Sequence, residues 1–218
     1  MRFEPRPFTY TIGCNLFRAY FRLFHKFRVY GRELCPAKGP LIIVANHCSH
    51  LDPPLVAVAY RHRRVRFMAK RELWKGKFLD WYLTSIGTIA VERGGGGREA
   101  IDKAVKDIRN GGCLGMFPEG TRSKDGEFGR GRSGVVVIAA RVGAPLLPVY
   151  LEGTFQSLPT GAKGVKFHPV KVYTGEPFEL TEEQCDLTNR PMMRETAKFV
   201  MDKIADARAI YVKDNGET

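Results

Sequence analysis

The pattern of apolar positions changes character near residue 41. Before it, from about Phe8 to Tyr30, the chain is dense in aromatics. Phe17, Phe21 and Phe24 follow helical spacing there, beside a basic line of Arg18, Arg22 and Lys26. An aromatic face next to a basic face fits a helix lying in a bilayer interface, where rings sit at headgroup depth and cations meet lipid phosphates. The same spacing fits a helix that packs its rings on the rest of the domain, and the two can coexist. From Leu41 onward, short apolar runs alternate with amphipathic ones. Leu41-Ile42-Ile43-Val44-Ala45 is continuous, as expected of a strand buried on both faces. Pro53-Pro54 opens a helix to about Tyr60, proline being suited to a first turn. Further strands are expected over 65–69, 88–91, 113–117, 146–151 and 170–173. Helices are expected over 78–86, 98–110, 133–142 and 191–211, with Gly111-Gly112 as a stop signal. This rhythm, with no internal repeat and no linker, predicts the α/β class: a single domain with a largely parallel central sheet flanked by helices, preceded by an amphipathic N-terminal helix. Residues 1–32 read as an amphipathic membrane-surface segment and 33–218 as the α/β domain.

Composition adds location. At 218 residues one good-sized domain is expected. The five cysteines are scattered, odd in number and without a Cys-x-x-Cys pair, which argues against a disulfide framework and a zinc site and fits a reducing compartment. The net charge of +12 is concentrated. Residues 1–32 carry seven Lys/Arg against Glu4, and residues 61–77 carry eight against Glu72, so the rest of the chain sums to −1. Such an excess marks a surface for an anionic partner, either lipid headgroups or nucleic acid. No apolar run reaches 18 residues and the first residues lack a secretory pattern, so the expected place is cytoplasmic, peripheral on the cytosolic face of a membrane.

Three loops at strand ends carry candidate chemistry, since open α/β sheets bind ligands there. In Asn46-His47-Cys48-Ser49-His50-Leu51-Asp52, a histidine and an aspartate five apart suit a dyad. The carboxylate holds the imidazole's tautomer, and the imidazole takes a proton from a hydroxyl. Ser49 is read as a hydrogen-bonding or turn residue, no Gly-x-Ser-x-Gly elbow being present. His47, His50 and Asp52 lack a standard metal spacing. Taken alone, this loop is as good a structural network as a site. In Phe117-Pro118-Glu119-Gly120-Thr121-Arg122-Ser123, Gly120 allows an open turn and Arg122 offers a planar fork for phosphate. Glu119 can accept from a substrate hydroxyl or lock Arg122. Arg130 and Arg132 add cationic reach among glycines. In Gly87 to Arg93, running into Gly94-Gly95-Gly96-Gly97, Arg93 is the phosphate candidate; no nucleotide-hydrolysing P-loop is present.

These segments together resemble the glycerolipid acyltransferases. Asn46 to Asp52 is similar to that family's His-x4-Asp block, and Phe117 to Ser123 to its Phe-Pro-Glu-Gly-Thr-Arg-Ser block. Gly87 and Arg93 are similar to its Gly-x5-Arg block, and Val142 to Val149 to its proline-containing last block. The likeness is nearest to the lysophosphatidic acid acyltransferases, and it makes 33–218 a glycerolipid acyltransferase domain. It implies acyl transfer from acyl-CoA or acyl carrier protein to the free hydroxyl of lysophosphatidic acid, giving phosphatidic acid, with no further cofactor and no metal. It further implies His47 as base, Asp52 as its orienting partner, and Arg93 and Arg122 on the acceptor phosphate. Glu119, Gly120 and Thr121 would shape that site, with Asn46 and Ser49 in support. Implied partners are the two substrates and an anionic membrane surface. Acceptors such as glycerol 3-phosphate, another lysophospholipid or a lyso-aminolipid are the nearest alternatives. A basic nucleic-acid-binding module is the alternative of another class, although it leaves the strand-end loops without a purpose. One departure stands out: where relatives carry a Phe-Lys-x-Gly-like stretch, this chain has Phe128-Gly129-Arg130-Gly131.

Overall fold

A computed structural model describes residues 8–92 and 97–215. Seven strands form one sheet: β1 (Arg28–Tyr30), β2 (Leu41–Ala45), β3 (Val65–Lys70), β4 (Ile89–Val91), β5 (Cys113–Met116), β6 (Leu146–Glu152) and β7 (Lys171–Thr174). Their spatial order is β1-β7-β6-β2-β5-β3-β4. Neighbours run parallel except β6 and β7, where Tyr150 lies opposite Tyr173. The helices are α1 (Phe8–Phe24), α2 (Asp52–Ala59), α3 (Lys77–Ser85), α4 (Gly97–Arg109), α5 (Gly134–Val142), the single turn α6 (Thr154–Ser157) and α7 (Arg190–Asn215).

The continuous apolar run of β2 has a direct cause. Alternate residues of a strand point to opposite faces, and both faces of this strand are covered. Leu41, Ile43 and Ala45 join Phe21 of α1 and Leu55 of α2 in one core, while Ile42 and Val44 join Ile108 of α4, Ile138 of α5 and Ile204 of α7 in the other. Because β2 is central, residues 46–52 emerge between β5 and β6, where the loops following those strands can reach them.

The 8–30 segment divides its apolar residues between two duties. Phe21 is fully buried and Phe17 stacks on it at 6.1 Å, so two rings of the stripe seen in the sequence face the domain while its third, Phe24, does not. The Tyr10 hydroxyl accepts from the Val65 amide at 2.9 Å, and Gly13 admits the Tyr82 hydroxyl of α3 where any Cβ would clash. Exposed apolar side chains are instead Phe8, Ile12, Leu16 and Leu23, together with Phe24. The segment also ends in β1, a strand not expected from the aromatic pattern.

Phe21→Ala should lower stability by about 3–5 kcal/mol, the cost of emptying a buried ring site. Leu16→Ala should change it by no more than about 0.5 kcal/mol. Urea denaturation of both variants checks the assignment, and equal losses would contradict it.

Candidate active site

The loop after β2 is held by side chains that replace strand pairing. Asn46 is buried and bonds β6 twice: its amide donates to the Leu151 carbonyl at 2.9 Å, and its oxygen accepts from the Leu151 N–H at 2.7 Å. Asp52, fully buried at the start of α2, reaches back to the same loop. Its Oδ2 accepts from the Cys48 and Ser49 amides, each at 2.7 Å, and from His47 Nδ1 at 2.8 Å. Ser49 Oγ donates to the Leu158 carbonyl at 2.8 Å and accepts from the Leu51 amide, fastening the turn to the segment after α6.

An ionised carboxylate only accepts, so the proton of a neutral His47 sits on Nδ1 and a lone pair is left on Nε2. Nε2 has no protein partner among the described residues. The His47 side chain is 17% exposed, and its ring lies on Phe117 with centroids 4.1 Å apart and planes at 18°. Phe67 continues this stack at 6.0 Å. The imidazole is thus fixed by a hydrogen bond along its edge and by aromatic contact across its face. Such a histidine can take a proton from a hydroxyl at Nε2 while Asp52 stabilises the resulting imidazolium. The neighbouring Cys48 is no competitor: burial first, then the Asp52 charge, pushes its thiol up to about 12.

The loop after β5 meets this one through Glu119. Its Oε1 accepts from the His47 main-chain amide at 2.7 Å, and its Oε2 accepts from the Gly129 amide at 2.9 Å. Ser123 N in turn donates to the His47 carbonyl at 2.7 Å. Both carboxylate oxygens are therefore engaged by backbone, and among the described residues Glu119 makes no ion pair with Arg122. Burial raises the pKa of Glu119, while the two amides oppose the shift. Gly120 adopts φ +67°, and a Cβ there would stand 2.9 Å from Arg132 Cδ, so the arginine stem crosses the turn at this glycine.

Glu119, Thr121 and Arg122 line a cavity of about 600 Å³ together with Arg130, Arg132 and Arg194. Desolvation first, then the Arg122 charge, lowers the His50 pKa. His50 is exposed, and among the described residues no group of three or more His, Cys, Asp or Glu side chains is arranged to hold a metal ion. The structure thus brings His47, Asp52, Asn46 and Ser49 into one network and joins it to Glu119 and Gly120. It sets Thr121 and Arg122 on the adjoining cavity wall. Arg93 and Gly94 to Gly96 lie outside the described residues; Gly87, at φ +82°, packs near Arg64. Three contributors carry little sequence signal: Phe117 as the platform for the imidazole, Gly129 as an amide donor, and Arg194 from a distant helix.

The Acyltransferase family model matches residues 26–152. The chloroplastic 1-acyl-sn-glycerol-3-phosphate acyltransferase BAT2 of Brassica napus is 31% identical over 160 residues, covering 71% of this chain and 46% of its own length. The 1-acyl-sn-glycerol-3-phosphate acyltransferase of Bacillus subtilis (strain 168) is 29% identical over 183 residues, covering 84% and 86%. The chain spans about half the length of the plant relatives it matches. Among solved structures, the 1-acyl-sn-glycerophosphate (LPA) acyltransferase PlsC of Thermotoga maritima superposes with a TM-score of 0.73 at 29% identity, over 93% of this chain and 78% of that one. A match over more than half the residues, a shared fold, and a histidine–aspartate pair within the matched segment lead to one conclusion: the chain belongs to the acyltransferase family.

Proposed function

We propose that this protein transfers a fatty acyl group from a thioester, acyl-CoA or acyl carrier protein, to the free hydroxyl of lysophosphatidic acid, yielding phosphatidic acid. The observation that carries the reading is His47, held by Asp52 with Nε2 unengaged, one main-chain hydrogen bond from the arginine-rich cavity wall at Glu119. The family assignment and the relatives' names support the same chemistry.

In this mechanism His47 Nε2 removes the proton of the acceptor hydroxyl as its oxygen attacks the thioester carbonyl. The tetrahedral oxyanion collapses, the C–S bond breaks, and the leaving thiolate takes the proton back from His47. No acyl-enzyme forms. Asp52 orients the imidazole and stabilises its charged form. Arg122, with Arg93, binds the acceptor phosphate through charge-assisted bonds. Glu119 acts on the reaction by holding the His47 main chain, and Gly120 and Thr121 shape the turn beside it. No cofactor beyond the thioester is required.

Both substrates are amphiphiles, and we place the chain peripherally on the cytosolic face of a membrane. Among the described residues no helix is long and apolar enough to cross a bilayer. The exposed apolar side chains of α1 are joined by Phe78, Leu79 and Trp81 of α3, close to the cations of segment 61–77.

Three outcomes follow. His47→Ala should lower turnover by about 10²–10⁴-fold with the unfolding midpoint little changed, since a positioned base contributes that much; a wild-type rate would remove His47 from the mechanism. Glu119→Gln replaces one of two acceptors by a donor facing an N–H, so it should cost about 1–3 kcal/mol of stability and lower kcat with KM nearly constant. A rise in KM alone would make Glu119 an acceptor contact instead. Binding to vesicles containing anionic phospholipid should weaken as salt is raised, because exposed charges are screened; salt-insensitive binding would leave apolar insertion as the sole attraction.

A further inference from the structure

The cavity beside the His47 loop is more cationic than its motif residues require. Arg122, Arg130, Arg132 and Arg194 converge on it beside Thr121 and Ser133. Elsewhere basic side chains find acids: Arg66 pairs with Asp107, Arg141 with Asp102, and Arg208 with Glu152. The four cavity arginines have no acidic partner among the described residues. The carboxylate in the same wall, Glu119, is held by two main-chain amides. Like charges gathered in one concavity repel unless an anion joins them.

Arg194 is the member with a separate origin. It sits on α7, more than forty residues beyond the segment that the family model matches. Its position relative to the other three is set by close packing. A Cβ on Gly131 would stand 2.6 Å from the Ala197 carbonyl oxygen and 2.8 Å from Met201 Cγ, so the arginine-bearing loop touches the α7 backbone there. The same loop is pinned to the motif turn by Arg132 N donating to the Pro118 carbonyl at 2.8 Å. Asn189 caps α7, its Oδ1 accepting from Met192 N at 3.0 Å. Arg194 Nε donates to the Arg190 carbonyl at 3.3 Å, which leaves the terminal nitrogens for a ligand.

We propose that Arg194 is a specificity-determining residue, completing an anion site with Arg122 and Arg132 that selects acceptors whose phosphate is a monoester. A phosphomonoester carries a charge of about −1.5 to −2 near neutral pH and three free oxygens. A diester headgroup offers one charge and two free oxygens, so a further guanidinium fork is matched only by the monoester. The inference rests on the acyl-transfer reading of this site and names what discriminates its acceptor.

The test compares Arg194→Gln, Arg194→Lys and Lys198→Gln in the full chain, with acyl-CoA as donor and lysophosphatidate or lysophosphatidylglycerol as acceptor. Lys198 lies one turn further along α7, is strongly exposed and pairs with Asp202, so its loss removes the same charge outside the cavity. Arg194→Gln should raise KM for lysophosphatidate about ten-fold or more, as expected for losing a charge-assisted contact, with kcat and the unfolding midpoint held. The diester acceptor should be affected much less, Arg194→Lys should recover part of the loss, and Lys198→Gln should match wild type. Calorimetric binding of glycerol 3-phosphate, which needs no turnover, should weaken in parallel. Unchanged KM and binding in Arg194→Gln, or equal losses on both acceptors, would overturn the proposal while leaving the acyl-transfer reading intact. A protein that binds glycerol 3-phosphate through Arg194 and transfers no acyl group to lysophosphatidate would keep the anion site and sink that reading.

Discussion

A loop that leaves the centre of a buried parallel sheet must find partners for main-chain groups that the sheet no longer pairs. In this protein the partners are side chains, and they are the residues of the His47 block and its neighbours. Asn46 pairs with Leu151, Asp52 takes the Cys48 and Ser49 amides, and Glu119 takes the His47 amide. The imidazole inherits its position from this arrangement. Asp52 serves two ends with one oxygen, closing the turn and fixing the histidine tautomer. A change at any of these positions therefore acts on the shape of the loop and on its chemistry together.

The same economy explains how a carboxylate can sit in an arginine-lined wall without neutralising it. Glu119 is nearly fully buried, and desolvation disfavours its charge. Amides from His47 and Gly129 supply the compensation, so no guanidinium is drawn inward. The arginines line the cavity, where an incoming anion meets fields that no internal acid has cancelled.

The amino-terminal helix shows how one amphipathic segment can serve two surfaces. Its ring stripe at Phe17 and Phe21 packs into the core beneath the sheet, and Gly13 lets α3 approach closely. A second apolar line, running from Phe8 through Ile12 and Leu16 to Leu23, remains exposed. The aromatic residues draw the eye in the sequence because rings are scarce. Burial, however, followed which face the chain could press against the domain. This makes the helix part of the folded unit as well as a candidate contact with lipid.

Much of this architecture is legible in the residues themselves. The run at 41–45 announces a doubly covered strand, the glycines at 111–112 end a helix, and the strand–helix rhythm implies a mainly parallel sheet. These signals are local, arising from side-chain period and backbone preference within a few residues. The pairing of His47 with Asp52 is local too, since five residues span a single turn. Tertiary structure alone decided that β1 and β7 run against the rest, that Phe21 is core, and that Phe117 forms the floor under the imidazole. It also decided that Glu119, 72 residues from His47, holds its main chain, and that Arg194 of α7 reaches the cavity. Such contacts depend on strand order and on the close approach of α7 at Gly131. Neither leaves a periodic trace, because a hydrogen bond across the fold constrains only the two residues that make it.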